Sequence, residues 1–183
     1  MSLLEIILIS IGLAMDAFAV SISKGLVIQK SYKNAVIIGL YFGIFQALMP
    51  LLGYFLGFSF EHIVYKVNHY IAFILLTVIG LSMILEKNND DYEDGKINFS
   101  TMILLSIATS IDALTIGVTF AFLDVNIISS IIIIGLITFI LSTIGVLLGN
   151  KIGVKFKTKS QLVGGIVLIL TGIKILLEHL NII

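Results

Sequence analysis

The sequence predicts an all-α membrane protein: six transmembrane helices arranged as two inverted three-helix repeats. Three observations predict it. Of the 183 residues, 58% are hydrophobic and 12% charged, about half the charged share of a soluble domain. The apolar residues gather in six runs, each near the roughly 20 residues that a helix needs to cross a hydrocarbon core. One fixed offset then lays segments of the first half of the chain on segments of the second.

The runs fall at 3–23, 34–57, 69–86, 99–122, 127–149 and 162–180. The first follows Met1-Ser2-Leu3-Leu4-Glu5, which lacks the basic segment of a cleavable signal peptide. It carries Asp16 in its middle and reads as a membrane span. The second holds Gln46 and, four residues on, Pro50, the lone proline and a predicted kink. The fourth holds Asp112. In the fifth, the β-branched stretch Ile131 to Ile134 does not argue for a strand. Only helices and closed barrels satisfy their backbone groups in lipid, and these runs are too long and too uniformly apolar for barrel strands. Gly53-x3-Gly57 and Gly145-x3-Gly149-x3-Gly153 mark the second and fifth spans as closely packed against neighbours.

The connections set orientation. Lys24, Lys30 and Lys33 flank the first connection, Lys87 and Lys96 the third, and Lys151, Lys155, Lys157 and Lys159 the fifth. These are nine of eleven lysines, and arginine is absent. Lys66 lies on the opposite side and Lys174 within the sixth span. The positive-inside rule places those three connections in the cytoplasm and both termini outside. The chain then divides into repeat one (1–87), an acidic cytoplasmic linker (88–98) with Asp90, Asp91, Glu93 and Asp94, and repeat two (99–183). The linker's charge run reads as a solvated connection, with cation capture as the functional alternative. The net charge is zero, so no basic field points to nucleic acid. With no cysteine, disulfides, thiolate metal sites and thiol nucleophiles are excluded.

An offset of 96 residues places Leu8–Ala17 on Leu104–Ala113 and Asp16 on Asp112. It also places Ile38-Gly39-Leu40 on Ile134-Gly135-Leu136, and Leu51-Leu52-Gly53 on Leu147-Leu148-Gly149. After a loop shorter by four, Gly80 falls on Gly172 and Glu86 on Glu178. Each repeat holds an odd number of spans, so the second enters the membrane upside down. Inverted repeats are a transporter architecture, with the substrate near the midplane and alternating access as the expected cycle.

Asp16 and Asp112 sit near span centres, where each carboxylate costs about 2.5–3.5 kcal/mol. Two at equal depth point to a shared site; a protonated, hydrogen-bonded structural pair is the alternative. Thr109, Asp112, Thr115 and Thr119 form one polar stripe. Its hydroxyls serve either as ligands or as donors to their own helix. Gly12, Asp16, Ala19 and Ser23 form a small-residue stripe. Gln46 and Ser142 are repeat mates with neutral oxygens, Gln46 the stronger ligand candidate. Glu86 and Glu178 stand at the cytoplasmic and outer mouths. Met15 offers a thioether but reads as packing. The candidate ligand set is therefore Asp16, Asp112, Gln46, Ser142, Thr109 and Glu86. It is oxygen-rich and suits Mg, Ca or Mn rather than Zn or Cu. Empty carboxylates also permit proton exchange.

Met15-Asp16-Ala17-Phe18-Ala19, Ala108 to Leu114 (ATSIDAL), Phe120-Ala121-Phe122-Leu123 and His69-Tyr70-Ile71-Ala72-Phe73 resemble the bacterial manganese efflux pump family. That family is grouped with lysine-exporter-like transporters. The resemblance implies no enzyme and no cofactor. It implies export of Mn(II), as transported substrate, across the bacterial inner membrane, with Asp16 and Asp112 essential. Some members have Glu where this chain has Gln46. Two rivals remain. An exporter of another small solute, such as an amino acid, would need a positive group beside the carboxylates, and the sequence offers no mid-membrane lysine near the pair. An intramembrane aspartyl protease would carry Gly-x-Gly-Asp, but Thr109-Ser110-Ile111 precedes Asp112. Metal selectivity, driving ion and oligomeric state are not encoded legibly.

Overall fold

The computed structural model describes residues 2–28, 30–85, 97–123, 125–153 and 160–179. Among them every regular element is a helix: α1 (Leu3–Val27), α2 (Tyr32–Leu85), α3 (Phe99–Ala121), α4 (Ile127–Gly153) and α5 (Ser160–His179). Four stretches are long and apolar enough to cross a membrane: α1, Tyr32–Gly57 of α2, α3, and Ile127–Ile152 of α4. Most helix ends agree with the apolar runs to within a few residues. Glu86 and residues 88–96 of the acidic linker expected at 88–98 lie outside the described residues.

Local chemistry fixes the helix ends. Ser2 and Glu5 form a reciprocal capping box: Glu5 N–H donates to Ser2 Oγ at 3.3 Å and Ser2 N–H to Glu5 Oε2 at 2.9 Å. Asn98 caps α3 by accepting from Thr101 N–H at 3.3 Å. At the far end of α1, the Asn150 amide of α4 donates to the carbonyls of Gly25 (2.8 Å) and Ile28 (3.0 Å), with its nitrogen turned toward them. Those are carbonyls that a helix end leaves unpaired.

Sequence reasoning separates a second and a third span, at 34–57 and 69–86. The structure instead carries helical backbone through one 54-residue run. A straight run would be about 81 Å long and would set Leu76 about 50 Å from Phe42. Yet both belong to one buried cluster with Ala17, Val20, Leu105, Ala108, Val146 and Leu168. The run therefore doubles back, and its first arm (32–57) and second arm (73–85) share the bundle.

Glycines report how the helices meet, because a Cβ would strike the neighbour. Along the first arm of α2, Pro50 lies against Gly117 and Gly57 against Val118 and Ala121, so α3 runs parallel to it. Tyr41 and Phe99 join the other end of that interface, ring centroids 6.1 Å apart. Phe18 and Ser21 lie against Gly145, and Ile22 against Gly149, so α1 and α4 are parallel too. Gly39 meets Phe139 and Thr143, while Gly43 meets Gly135, so the first arm and α4 are antiparallel. Gly80 meets Gly165 and Gly172 meets Phe73, so the second arm and α5 are antiparallel.

The outward faces are apolar at helical spacing. Val36, Leu40, Ile44, Leu48 and Leu52 line one side of α2; Ile132, Leu136, Ile140, Ile144 and Leu148 line one side of α4. Each of the first five is carried onto one of the second five by the 96-residue offset. Faces this continuous and this apolar belong against lipid. The most enclosed of the four candidate spans is α3, 56% buried against 28–39% for the others.

Candidate cation site

Of the site candidates, Gln46, Ser142 and Thr109 are buried, and Asp16 and Asp112 partly so. Gln46, on the first arm of α2, is fully buried. Its Nε2 donates to the Leu13 carbonyl of α1 at 3.0 Å, one turn before Asp16. Its Oε1 is buried with no hydrogen-bond partner. Ser142, its repeat mate on α4, is likewise fully buried, and its hydroxyl has no partner. An unsatisfied buried polar group costs about 1–3 kcal/mol. The two stand 96 positions apart in the chain.

Proline adds a third oxygen. Pro50 has no N–H and cannot donate to the carbonyl four residues back, which belongs to Gln46. That carbonyl lacks its ordinary intrahelical partner.

Asp16 sits at the margin of the buried face of α1, its side chain 15% exposed. Asp112 is half-buried on α3, and its Oδ1 accepts from Ala113 N–H at 2.9 Å. Thr109 is buried one turn earlier and donates to its own helix, to the Leu105 carbonyl at 3.0 Å. Thr119 is exposed and donates to the Thr115 carbonyl. The polar stripe on α3 is thus partly spent on its own backbone; the Thr109 oxygen keeps lone pairs for a cation but has no free proton.

Two expectations need correction. The first is that no lysine is available near the carboxylates. Lys174 Nζ of α5 stands 3.7 Å from Asp16 Oδ1. A four-carbon stem reaches across an antiparallel helix packing that the sequence does not display. The available signal was that Lys174 is the one lysine inside an apolar run and falls on Ser82 under the 92-residue offset of the third spans. The second is the small-residue stripe on α1. Ser23 is buried, but Gly12 is exposed with open space beside it, so no helix packs there. Met15 is 46% exposed, which removes its thioether from the site.

Other orphaned hydroxyls were not anticipated: Ser21 on α1, Ser106 on α3 and Thr138 on α4, one turn before Ser142. Among the described residues no three His, Cys, Asp or Glu side chains gather as a metal cluster. By type, the candidate residues are carboxylates and neutral oxygens, donors that suit a hard cation. The apolar hollow lined by Ile37, Leu40, Tyr41, Ile44 and Phe45 offers a cation nothing.

Comparison with known proteins agrees with this picture. A family described as "Putative manganese efflux pump" matches residues 29–176. A Desulfitobacterium hafniense protein of that description is 53% identical over 180 residues, covering 97% of this chain and 96% of its own. One from Acetivibrio thermocellus is 52% identical, covering all of this chain and 94% of its own. One from Mannheimia succiniciproducens is 50% identical over 98% of both. No solved structure matches. With a family match over most of its length and relatives at half identity end to end, this chain belongs to the manganese efflux pump family.

Proposed function

We propose that this chain exports divalent manganese from the cytoplasm as a secondary transporter, by alternating access between two inverted three-helix halves. The halves are 1–87 and 99–183, joined by the acidic linker. The observation that carries the reading is the matched pair of orphaned oxygens, Gln46 Oε1 and Ser142 Oγ. Each is buried on an inner helix face, and each is supplied by the same position of a repeat. Asp16, Asp112 and Thr109 complete the ligand set, and Glu86 serves the cytoplasmic mouth.

Contact symmetry supports the two-half reading. The 96-residue offset carries the approach of Gly53 to Val118 onto that of Gly149 to Ile22. It carries Gly39 against Phe139 onto Gly135 against Gly43, so the interface of α2's first arm with α4 maps onto itself. With the 92-residue offset, Gly80 against Gly165 becomes Gly172 against Phe73. Such exchange of partners is what a twofold axis in the membrane plane produces. Six crossings follow, with the α2 arms as the second and third, both termini outside, and the bacterial inner membrane as location. Protons exchange for the cation at the emptied carboxylates.

Two experiments test the function. Expression in a manganese-sensitive bacterial strain is expected to lower cell manganese, measured alongside zinc, magnesium and free amino acids. Purified protein in proteoliposomes is expected to move radiolabelled manganese, with internal pH recorded in parallel. Unchanged manganese would overturn the proposal, and a flat pH record during flux would remove the proton. A second reading has one observation behind it: Lys174 beside Asp16 pairs amine with carboxylate, as a small zwitterion requires. Lowered amino acids with unchanged manganese would select it. The family is one of efflux transporters rather than enzymes, which leaves the protease reading without support.

Ser142→Ala separates ligand from scaffold. Its hydroxyl bonds nothing in the protein, so its loss is expected to leave thermal stability unchanged or raised by up to about 1 kcal/mol. The KM for manganese is expected to rise about tenfold, the upper effect of one neutral ligand or its support. An unchanged KM would remove Ser142 from the site.

A further inference from the structure

We infer that the Lys174 ammonium is a tethered substitute for the transported cation. On this view it occupies Asp16 when the site is empty and is displaced when metal enters. The inference rests on the export reading above. Lys174 Nζ lies 3.7 Å from Asp16 Oδ1, with the lysine side chain 50% exposed and the aspartate 15%.

Charge explains why such a substitute is useful. Two ionised carboxylates buried without a partner are costly in a membrane. A carrier must also return through its closed state after releasing cargo, when nothing neutralises them. In an exchanger a second ion fills that role. Here Lys174 fills it at Asp16. The repeat has no second lysine to offer, because the position equivalent to Lys174 is Ser82. Asp16 is reached only after the ammonium leaves. A ligand that must first displace an internal competitor binds with an apparent affinity reduced by the fraction of sites already open.

The test separates loaded from empty movement of the carrier. Wild type, Lys174→Met and Lys174→Arg are reconstituted, and two rates are measured. One is exchange of radiolabelled for unlabelled manganese across the membrane, which needs only the loaded carrier. The other is net efflux into manganese-free buffer, which needs the empty carrier to return. Lys174→Met is expected to keep exchange with a KM lowered about tenfold, and to lose about tenfold or more of net efflux. Lys174→Arg keeps a cation at the same place and is expected to retain net efflux. Equal loss of both rates in Lys174→Met, no change in either, or a Lys174→Arg variant that behaves like Met would overturn the inference. Wild-type vesicles that move no manganese in either assay would instead overturn the export reading on which it rests.

Discussion

Asp112→Asn is expected to reach the membrane at wild-type abundance and to lose manganese export about a hundredfold. Asn keeps the shape and the oxygen that accepts from Ala113 N–H at 2.9 Å, so the helix has no reason to unfold. What disappears is one negative charge in a water-poor setting. Removing one partner of a buried charge pair costs about 3–5 kcal/mol, and each 1.4 kcal/mol is about tenfold. Asp16→Asn is expected to lose export to the same extent, but with a second defect that Asp112→Asn lacks. It strands the Lys174 ammonium beside a neutral amide, inside a membrane span where an uncompensated lysine costs about 2.5–3.5 kcal/mol. Abundance should therefore fall in Asp16→Asn. It should recover in the double variant Asp16→Asn with Lys174→Met, while export stays absent. Immunoblots of membrane fractions and radiolabelled uptake into proteoliposomes read the two effects separately. Full transport by Asp112→Asn would remove that residue from the pathway. A double variant as scarce as Asp16→Asn would show that the ion pair does not govern stability.

The second large effect concerns packing. Gly53 and Gly149 are repeat mates, and a Cβ on either would meet a backbone carbonyl oxygen, that of Leu114 or of Ile22. Backbone cannot swing aside as a flexible side chain does. The helices must separate or tilt, at an overpacking cost of about 1–3 kcal/mol for a single methyl. Gly53→Ala and Gly149→Ala are each expected to lower the Tm of detergent-solubilised protein by several degrees, and the Val variants to fall further. Gly12→Ala is the control. Its Cβ meets nothing within 4 Å, so it should be neutral or stabilising by up to about 1 kcal/mol, since Gly is the poorer helix former. Equal tolerance of Ala at all three positions would mean that these close approaches do not hold the bundle together.

Helix class and most boundaries were legible because apolar length is a one-dimensional signal: α1, α3, α4 and α5 begin and end near the edges of their apolar runs. Gln46 and Ser142, both buried with an unpartnered oxygen, were singled out for a related reason. A repeat offset is arithmetic on the chain, and it carries an unusual residue in one half onto a polar one in the other. Two things were not legible. One is that the backbone of α2 stays helical from Tyr32 to Leu85 while its two arms fold back together, since hydropathy reports only the dip between the arms. The Lys174–Asp16 contact depends on which faces of α1 and α5 meet, and on the reach of a long side chain. Neither is periodic in sequence. The same limit produced the misreading of Gly12: small residues at helical spacing invite a neighbour, but only the assembled bundle shows whether one comes.

On the proposed site, Pro50 offers the cargo a main-chain oxygen. The oxygen it releases at Gln46 belongs to the peptide group, so no substitution of the glutamine side chain can delete it. Coordination at this height would survive Gln46→Leu in part. Restoring an amide hydrogen with Pro50→Ala would withdraw the oxygen into the helix while leaving every ligand side chain in place. A contact made by the peptide group is one that drift at position 46 cannot erode, and it keeps part of the binding surface constant while the glutamine is free to vary.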